Sequence, residues 1–397
     1  MKSLNYWAGF VLSMILVAIL ALPTARWFAL RAPDGALYGY TDDVPKPPND
    51  LLHAFFDKSL QQWVQKYFEV NLGFRPFLIR SFNELTFRAF KEAPKLRLYN
   101  TEAHGLYSKM SIESLNGDVV NRKSLEDRYH IEAKKLLQVQ QRLQAKGKYF
   151  EVIIGTSKAY VYPDGLGNRF LVGGSNGIFE RAASFGKLLQ ETGVNVIDGG
   201  PLLRDFVART GIPTHPDSGV HWNYFAGCLI AHQLLDNIRI RQFPDAPVLD
   251  CGEPIMQEPH WVDVDGLMLL NIWSKGGVAK LTPYPTIRKN DDSVWRPNIV
   301  FIGDSFSDQI RYALQQANTY SSMMMSGYFR NRAFDDRITN TIMPADNMAD
   351  ENTIHKAIMT DIENSQVVVL QMVDYNVGRW EYGFADYFLD NTQATQP

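Results

Sequence analysis

The stretch Arg296–Ile310 reads RPNIVFIGDSFSDQI. Within it, NIVFIG (298–303) is a short, nearly uninterrupted apolar run, the pattern of a strand covered on both faces. The run stops at Gly303-Asp304-Ser305, and DQIRYALQQA (308–317) continues at helical spacing. The same texture recurs along the chain. YFEVIIG (149–155), VNVID (194–198) and QVVVLQMV (366–373) are further apolar runs, separated by helical stretches over 124–147, 178–193 and 224–238. Strands alternating with helices predict a three-layer α/β/α domain with a parallel sheet, here placed over 99–397.

In open parallel sheets ligands bind beyond the carboxyl ends of the strands, so Ser305 has the address of a catalytic serine. Gly303 would permit a sharp exit from the strand, and N–H groups opening the next helix could face a developing oxyanion. The tripeptide alone is ambiguous, because Asp304, Ser305 or Ser307 would serve equally as a helix N-cap. A serine nucleophile also needs a base. Of the eight histidines, His130 and His232 fall in helical stretches and His53 in the N-terminal region, whereas His215 and His221 stand in IPTHPDSGVHWNYFAG (212–227), a polar loop leading into a helix. His221 is the better base, since that helix would fix it and Trp222 would anchor the loop by packing. His215, Asp217 and His221 could be read as metal ligands, but their spacing fits no standard zinc pattern. No metal or other cofactor is expected.

A GDSFS block after an apolar strand, with an HW block upstream and an apolar N-terminus, resembles the alginate O-acetyltransferase J/X family of SGNH-hydrolase-like proteins. The order matters: His221 precedes Ser305 by 84 residues, as in the circularly permuted acetyltransferase branch, whereas common SGNH esterases carry the serine block first. IIGTSKAYVYPD (153–164) and NLGFRPFLIRSFNEL (71–85) are similar to further family segments, and HGLYS (104–108) is a faded version of another. The resemblance runs in patches over about residues 70–375 and is most specific at the two catalytic blocks.

The resemblance makes Ser305 the nucleophile and His221 its base in a polysaccharide O-acetyltransferase. It implies a polysaccharide acceptor and an acetyl donor delivered by a multi-span membrane acyltransferase. The family has Asp-x-His-Trp, but the position two before His221 is Gly219. Asp217 is therefore the expected third member, with Asp265, Asp374 or a backbone carbonyl as substitutes. Lys158, just past a strand end, and Tyr328, Arg330 and Arg332 in SGYFRNRAF (326–334) are expected to contact substrate, against the plainer reading of solvated loop residues. The same residues run in reverse would make an acetylesterase, and the missing Asp-x-His would also suit a non-catalytic glycan-binding subunit.

Hydrophobic residues make up 45% of the 397, and Lys+Arg (40) nearly balance Asp+Glu (43). Without a long basic run, nucleic acid is not an expected partner. Tyr6–Pro23 carries no charge over about 18 residues, close to the length that crosses a bilayer as a helix. It is read as a signal anchor within 1–25, in preference to a cleaved signal. RAPDGALYGYTDDVPKPPND (31–50), within a linker placed at 26–50, leads to a helical membrane-proximal region at 51–98. This arrangement predicts a single-pass inner-membrane protein with its soluble domain in the periplasm. Cys228 and Cys251 could bridge in that compartment. Cys228 lies on the apolar face of a helix, however, and an unpaired buried thiol is the favoured reading.

Overall fold

The computed structural model describes residues 7, 10–14, 17, 37–39, 46–71, 74–93, 98–120, 122–166, 170, 181–291, 294–335, 342–344, 350–377 and 382–392. Most of the segment expected to anchor the chain lies outside these residues. Among the described residues no helix is long and apolar enough to cross a membrane. The chain divides into two compact units, one of Met1–Leu96 with Leu267–Gly277, the other of Arg97–Gly266 with Val278–Pro397.

The first unit is built on helices Leu51–Phe56, Ser59–Asn71 and Arg75–Phe90. Asp50 caps the first by accepting the N–H groups of Leu52 and His53, each at 3.0 Å. Glu84 on the third helix gathers the 273–274 segment, accepting from Trp273 N, Ser274 N and Ser274 Oγ at 3.1, 3.1 and 2.8 Å.

The second unit carries a seven-stranded sheet. Its strands in chain order are β1 (Tyr149–Gly155), β2 (Val196–Asp198), β3 (Asn298–Gly303), β4 (Ser322–Gly327), β5 (Ala333–Asp335), β6 (Ile342–Pro344) and β7 (Val367–Val373), and they lie in the order β6-β5-β4-β3-β7-β1-β2. β4, β3, β7, β1 and β2 are parallel, and β5 and β6 add an antiparallel edge. The apolar runs alternate between two cores, as a period of two residues dictates. Ile153, Ile299, Phe301, Val367 and Val369 pack with the helices Tyr224–Arg241 and Ser307–Gln316 on one face. Val152, Ile154, Val300, Ile302, Val368 and Leu370 pack with Arg122–Ala145, Arg181–Thr192, Glu351–Asn364 and Phe384–Asn391 on the other.

β1 is followed by β2 on one side of β7, and β3 by β4 on the opposite side. The centre of the sheet is thus a point where the winding reverses, and at such points the loops after neighbouring strands diverge and leave a crevice. Carboxylates tie the strand exits together there. Asp304 after β3 accepts Val373 N of β7 at 2.9 Å, and Asp374 after β7 accepts the N–H and Oγ of Ser157 after β1, both at 2.8 Å.

Cys228 and Cys251 form a disulfide, correcting the expectation of a free thiol. Burial on a helix face does not exclude a bridge when the partner lies beneath the same face, and Cys251 is buried in the same core as Cys228.

Candidate active site

Ser305 follows β3 in a turn held from several directions. Asp304 is buried, and besides Val373 N its carboxylate accepts Phe306 N at 3.0 Å and the Tyr382 hydroxyl at 2.8 Å. Gln371 Oε1 on β7 accepts Asp304 N at 3.0 Å and Ser307 Oγ at 2.8 Å. Gly303 is required by space rather than by φ: a Cβ there would stand 2.6 Å from Ser307 Oγ and 2.7 Å from Gln371 Oε1. The helix begins at Ser307 with Phe306 as its N-cap residue and no capping side chain. Ser305 is therefore not the cap, and its hydroxyl is exposed.

His221 reaches Ser305 because two helices approach closely. A Cβ on Gly227, in the helix after His221, would lie 2.4 Å from Gln309 Cβ in the helix after Ser305. Only glycine allows that packing. Trp222, fully buried, donates its indole N–H to Phe306 O at 3.0 Å, so the histidine loop is bonded directly to the serine turn. Asn223 caps its helix through Ala226 N at 2.8 Å. His221 Nε2 then lies 2.7 Å from Ser305 Oγ, and Nδ1 lies 2.6 Å from Asp265 Oδ2. An ionised carboxylate only accepts, so the proton sits on Nδ1 and Nε2 is left to accept from the serine hydroxyl.

The carboxylate bonded to His221 is Asp265 rather than the expected Asp217. Asp217 forms an ion pair with Lys280 at 2.6 Å. Asp265 opens the short helix Asp265–Leu270, and its Oδ1 accepts Val220 N at 3.0 Å and Gly266 N at 2.6 Å, which fixes the carboxylate against the histidine. A Cβ on Gly219 would meet Asp265 Oδ1 at 2.9 Å and Asp263 O at 2.9 Å. The space beside Gly219 is occupied by the carboxylate that arrives from 44 residues downstream of His221. Burial would lower the His221 pKa, but the Asp265 charge and hydrogen bond, with Asp304 and Asp308 behind them, outweigh it and hold the imidazole above its ordinary value. Asp263 is buried, and burial pushes its carboxyl up to about 8.

The remaining predicted residues separate. Lys158 is buried, and its ammonium meets the carbonyls of His104, Leu106, Pro216 and Gly219 at 3.2, 2.8, 2.5 and 2.7 Å. It does not present its charge to a ligand but gathers the 216–219 loop that leads to His221. Burial lowers its pKa to about 7, against the pull of Asp217, Asp265 and Asp263. Arg332 forms a two-point pair with Asp361 at 2.5 and 2.7 Å, so it too is structural. Arg330 is exposed. Asp374 holds Ser157 rather than a histidine. His215 is buried between Thr156 O and Thr214 Oγ1, and burial with the neighbouring Lys158 charge lowers its pKa to about 3, which keeps it neutral. Among the described residues no cluster of three or more His, Cys, Asp or Glu could hold a metal ion.

Tyr328 does come to the site. Its hydroxyl interacts with both the hydroxyl and the backbone N–H of Ser305, and burial, with the Asp304 charge, raises its pKa. Tyr328 and Phe329 both have positive φ, at 54° and 56°, a conformation unusual for bulky residues that persists only where the surroundings enforce it. Here Tyr328 N donates to Gly303 O at 2.8 Å, and Phe329 is clamped by His355, whose ring stacks on it at 4.0 Å while Nε2 bonds Phe329 O at 2.8 Å. Trp261, absent from the sequence reading, is 60% exposed with φ 51°, and stands edge-on to Tyr312 at 6.1 Å. Trp261 precedes Asp265 by one helical turn and Tyr312 belongs to the helix that follows Ser305. No alternation or motif marks such a residue; a lone tryptophan beside a candidate acid is the only signal.

No family model matches the sequence, and neither does any curated protein. Among solved structures the chain is similar to the O-acetyltransferase domain of Pseudomonas putida AlgJ, with a TM-score of 0.45 and 14% identity over 73% of this chain and 99% of that one. It is also similar to Bacillus cereus PatB1 carrying a sulfonyl adduct, with 0.41 and 11% over 65% and 91%. For Pseudomonas aeruginosa AlgX the values are 0.38 and 11% over 75% and 69%.

Proposed function

We propose that this chain is a serine-dependent O-acetyltransferase of SGNH-like type that modifies a secreted or cell-surface polysaccharide. The observation that carries the proposal is the unbroken line Ser305 Oγ, His221 Nε2, His221 Nδ1, Asp265 Oδ2, with contacts of 2.7 and 2.6 Å at the carboxyl end of the central strands. His221 removes the Ser305 proton as Oγ attacks the acetyl carbonyl, and Asp265 stabilises the imidazolium that results. The negative charge on the tetrahedral oxygen falls to the Ser305 N–H and the Tyr328 hydroxyl, which interact with one another in the resting site. Collapse expels the donor's leaving group, which takes the proton from His221. A sugar hydroxyl then gives its proton to His221 and attacks the acetyl-serine, and the ester is transferred with Ser305 restored.

The exposed Trp261 ring beside Tyr312 supports a saccharide acceptor, since flat aromatic faces pack against the apolar faces of sugar rings while hydroxyls remain solvated. The proposed setting is the periplasmic side of the inner membrane, with Tyr6–Pro23 as anchor and a multi-span membrane acyltransferase as the acetyl source. The uncharged run Tyr6–Pro23 and the resemblance at GDSFS and HW support that setting.

The test is acylation of purified protein by p-nitrophenyl acetate. Wild type is expected to release a burst of nitrophenol and to carry an acetyl mass on the peptide containing Ser305, and Ser305→Ala to do neither. Equal behaviour of the two proteins would refute the proposal. Because Ser305 is open to solvent, hydrolysis of the same acyl-enzyme is a second reading. Adding an unacetylated oligosaccharide separates them: a transferase yields acetylated sugar, an esterase only acetate.

A further inference from the structure

The helices of the first unit turn unusually apolar surfaces outward. On Leu51–Phe56 the exposed side chains are Leu51, Leu52, Phe55 and Phe56 together with His53, while Ala54 is the buried one. On Ser59–Asn71, Val64, Tyr67 and Phe68 are exposed at spacings of three and four, which puts them on one face. On Arg75–Phe90, Phe82 and Leu85 are 63% and 70% exposed, and Leu78, partly exposed, extends the same stripe. Isolated exposed apolar residues are ordinary, but stripes on three successive helices are not, and patches of that kind mark an interaction surface.

We propose that these three helices lie in the headgroup region of a lipid bilayer, with their stripes in contact with the acyl boundary. Two features point to lipid rather than to another occupant. The uncharged segment Tyr6–Pro23 stands a short way upstream in the same chain, and on the proposed reading of that segment as an anchor, membrane is the surface these helices meet first. Residues 51–91 also hold six Lys or Arg against three Asp or Glu, in a chain whose overall charge is -3. Phe-rich, net-basic amphipathic helices are built to lie flat at an anionic interface, where apolar burial and charge attraction act together. Lys58 and Lys91, both exposed, stand at the turn before the second helix and at the end of the third.

The test uses the full chain in vesicles of phosphatidylethanolamine and phosphatidylglycerol. Single cysteines at Phe56→Cys, Phe82→Cys and, as a control on the second unit, Lys187→Cys carry an environment-sensitive fluorophore; Cys228 and Cys251 are joined in a disulfide and escape labelling. Lipids bearing a nitroxide close to the headgroup are expected to quench the labels at 56 and 82 severalfold more than the label at 187. Quenching no greater than at 187 overturns the proposal. A blue-shifted label that nitroxide lipid does not quench overturns it too, since a second protein copy would then cover the face. The urea-unfolding midpoint of each labelled protein reports its fold without reference to the Ser305 chemistry, so the lipid result stands independently of the catalytic proposal.

Discussion

Replacing Asp265 by Asn tests the catalytic line at its least expected member. Asparagine keeps the shape but not the charge or the pattern of acceptors. If its oxygen stays toward Val220 N and Gly266 N, its NH2 faces His221 Nδ1, which must then become the acceptor. Nε2 carries the proton in that tautomer and cannot take another from Ser305. If the amide flips, its NH2 points at two N–H donors, and those partly buried groups lose their acceptor. Either arrangement fails, and the lost charge adds to the failure. A carboxylate about 4 Å from the imidazolium charge, at the effective dielectric suited to groups only 15% exposed, stabilises it by about 4 kcal/mol. That corresponds to a loss on the order of a thousandfold in acylation rate. Asp217→Asn breaks only an ion pair with Lys280, which is 57% exposed, and such a pair is worth about 0–1 kcal/mol. The assay is the single-turnover burst with p-nitrophenyl acetate. An Asp265→Asn burst within about tenfold of wild type, or an Asp217→Asn burst that falls as far as Asp265→Asn, would refute the assignment.

Four further outcomes follow from the contacts described above. His221 acts as a base only when neutral, and its pKa lies above the ordinary value, so acylation should rise with pH on a limb centred above about 6.5, and that limb should move to lower pH in Asp265→Asn. The His221–Asp265 pair contributes to stability in the opposite sense, fully below the unfolded imidazole pKa and lost as pH rises through the folded one, which urea midpoints across that range will register. Lys158→Met leaves four carbonyls, three of them in buried bonds, without their donor and should lower stability by about 1–3 kcal/mol or more in urea unfolding; a lysine that merely bound substrate would instead raise KM at unchanged stability. Cys228→Ser paired with Cys251→Ser opens a loop spanning 23 residues and should cost about 3 kcal/mol, read as a lower Tm against the oxidised protein.

The fold was legible because its strands bury both faces. All seven residues of Val367–Val373 are buried, and a run of that length, apolar except for Gln371 and bounded by turn signals, leaves little choice. Ser305 and His221 could be singled out as candidates because each sits where such a run or a Pro/Gly loop gives way to a helix. Lys158 and Arg332 were visible as charges, but their partners were not: four carbonyls from two distant segments in one case, and Asp361 on a later helix in the other. Charge alone does not say whether a side chain faces solvent or gathers the backbone.

Asp265 stood only as a substitute for Asp217 for a related reason, and Gly219 shows why. In the sequence that position reads as a missing aspartate, a deletion from the catalytic line. In three dimensions nothing is missing, because the Asp265 carboxylate fills the volume a side chain at 219 would need and bonds the next N–H, that of Val220. Histidine requires an oriented acceptor on Nδ1, and the requirement concerns a point in space rather than a position in the chain. Any residue whose backbone is held by the same loop can meet it, and Asp265 is held there through Ser218 Oγ, which donates to Asp263 O at 2.6 Å. Restoring an aspartate with Gly219→Asp should therefore impair the site rather than repair it: the new side chain meets Asp263 O and Asp265 Oδ1 at 2.9 Å, and a second carboxylate is forced against the first. A Gly219→Asp protein acylated as fast as wild type would show that the space is not shared in this way.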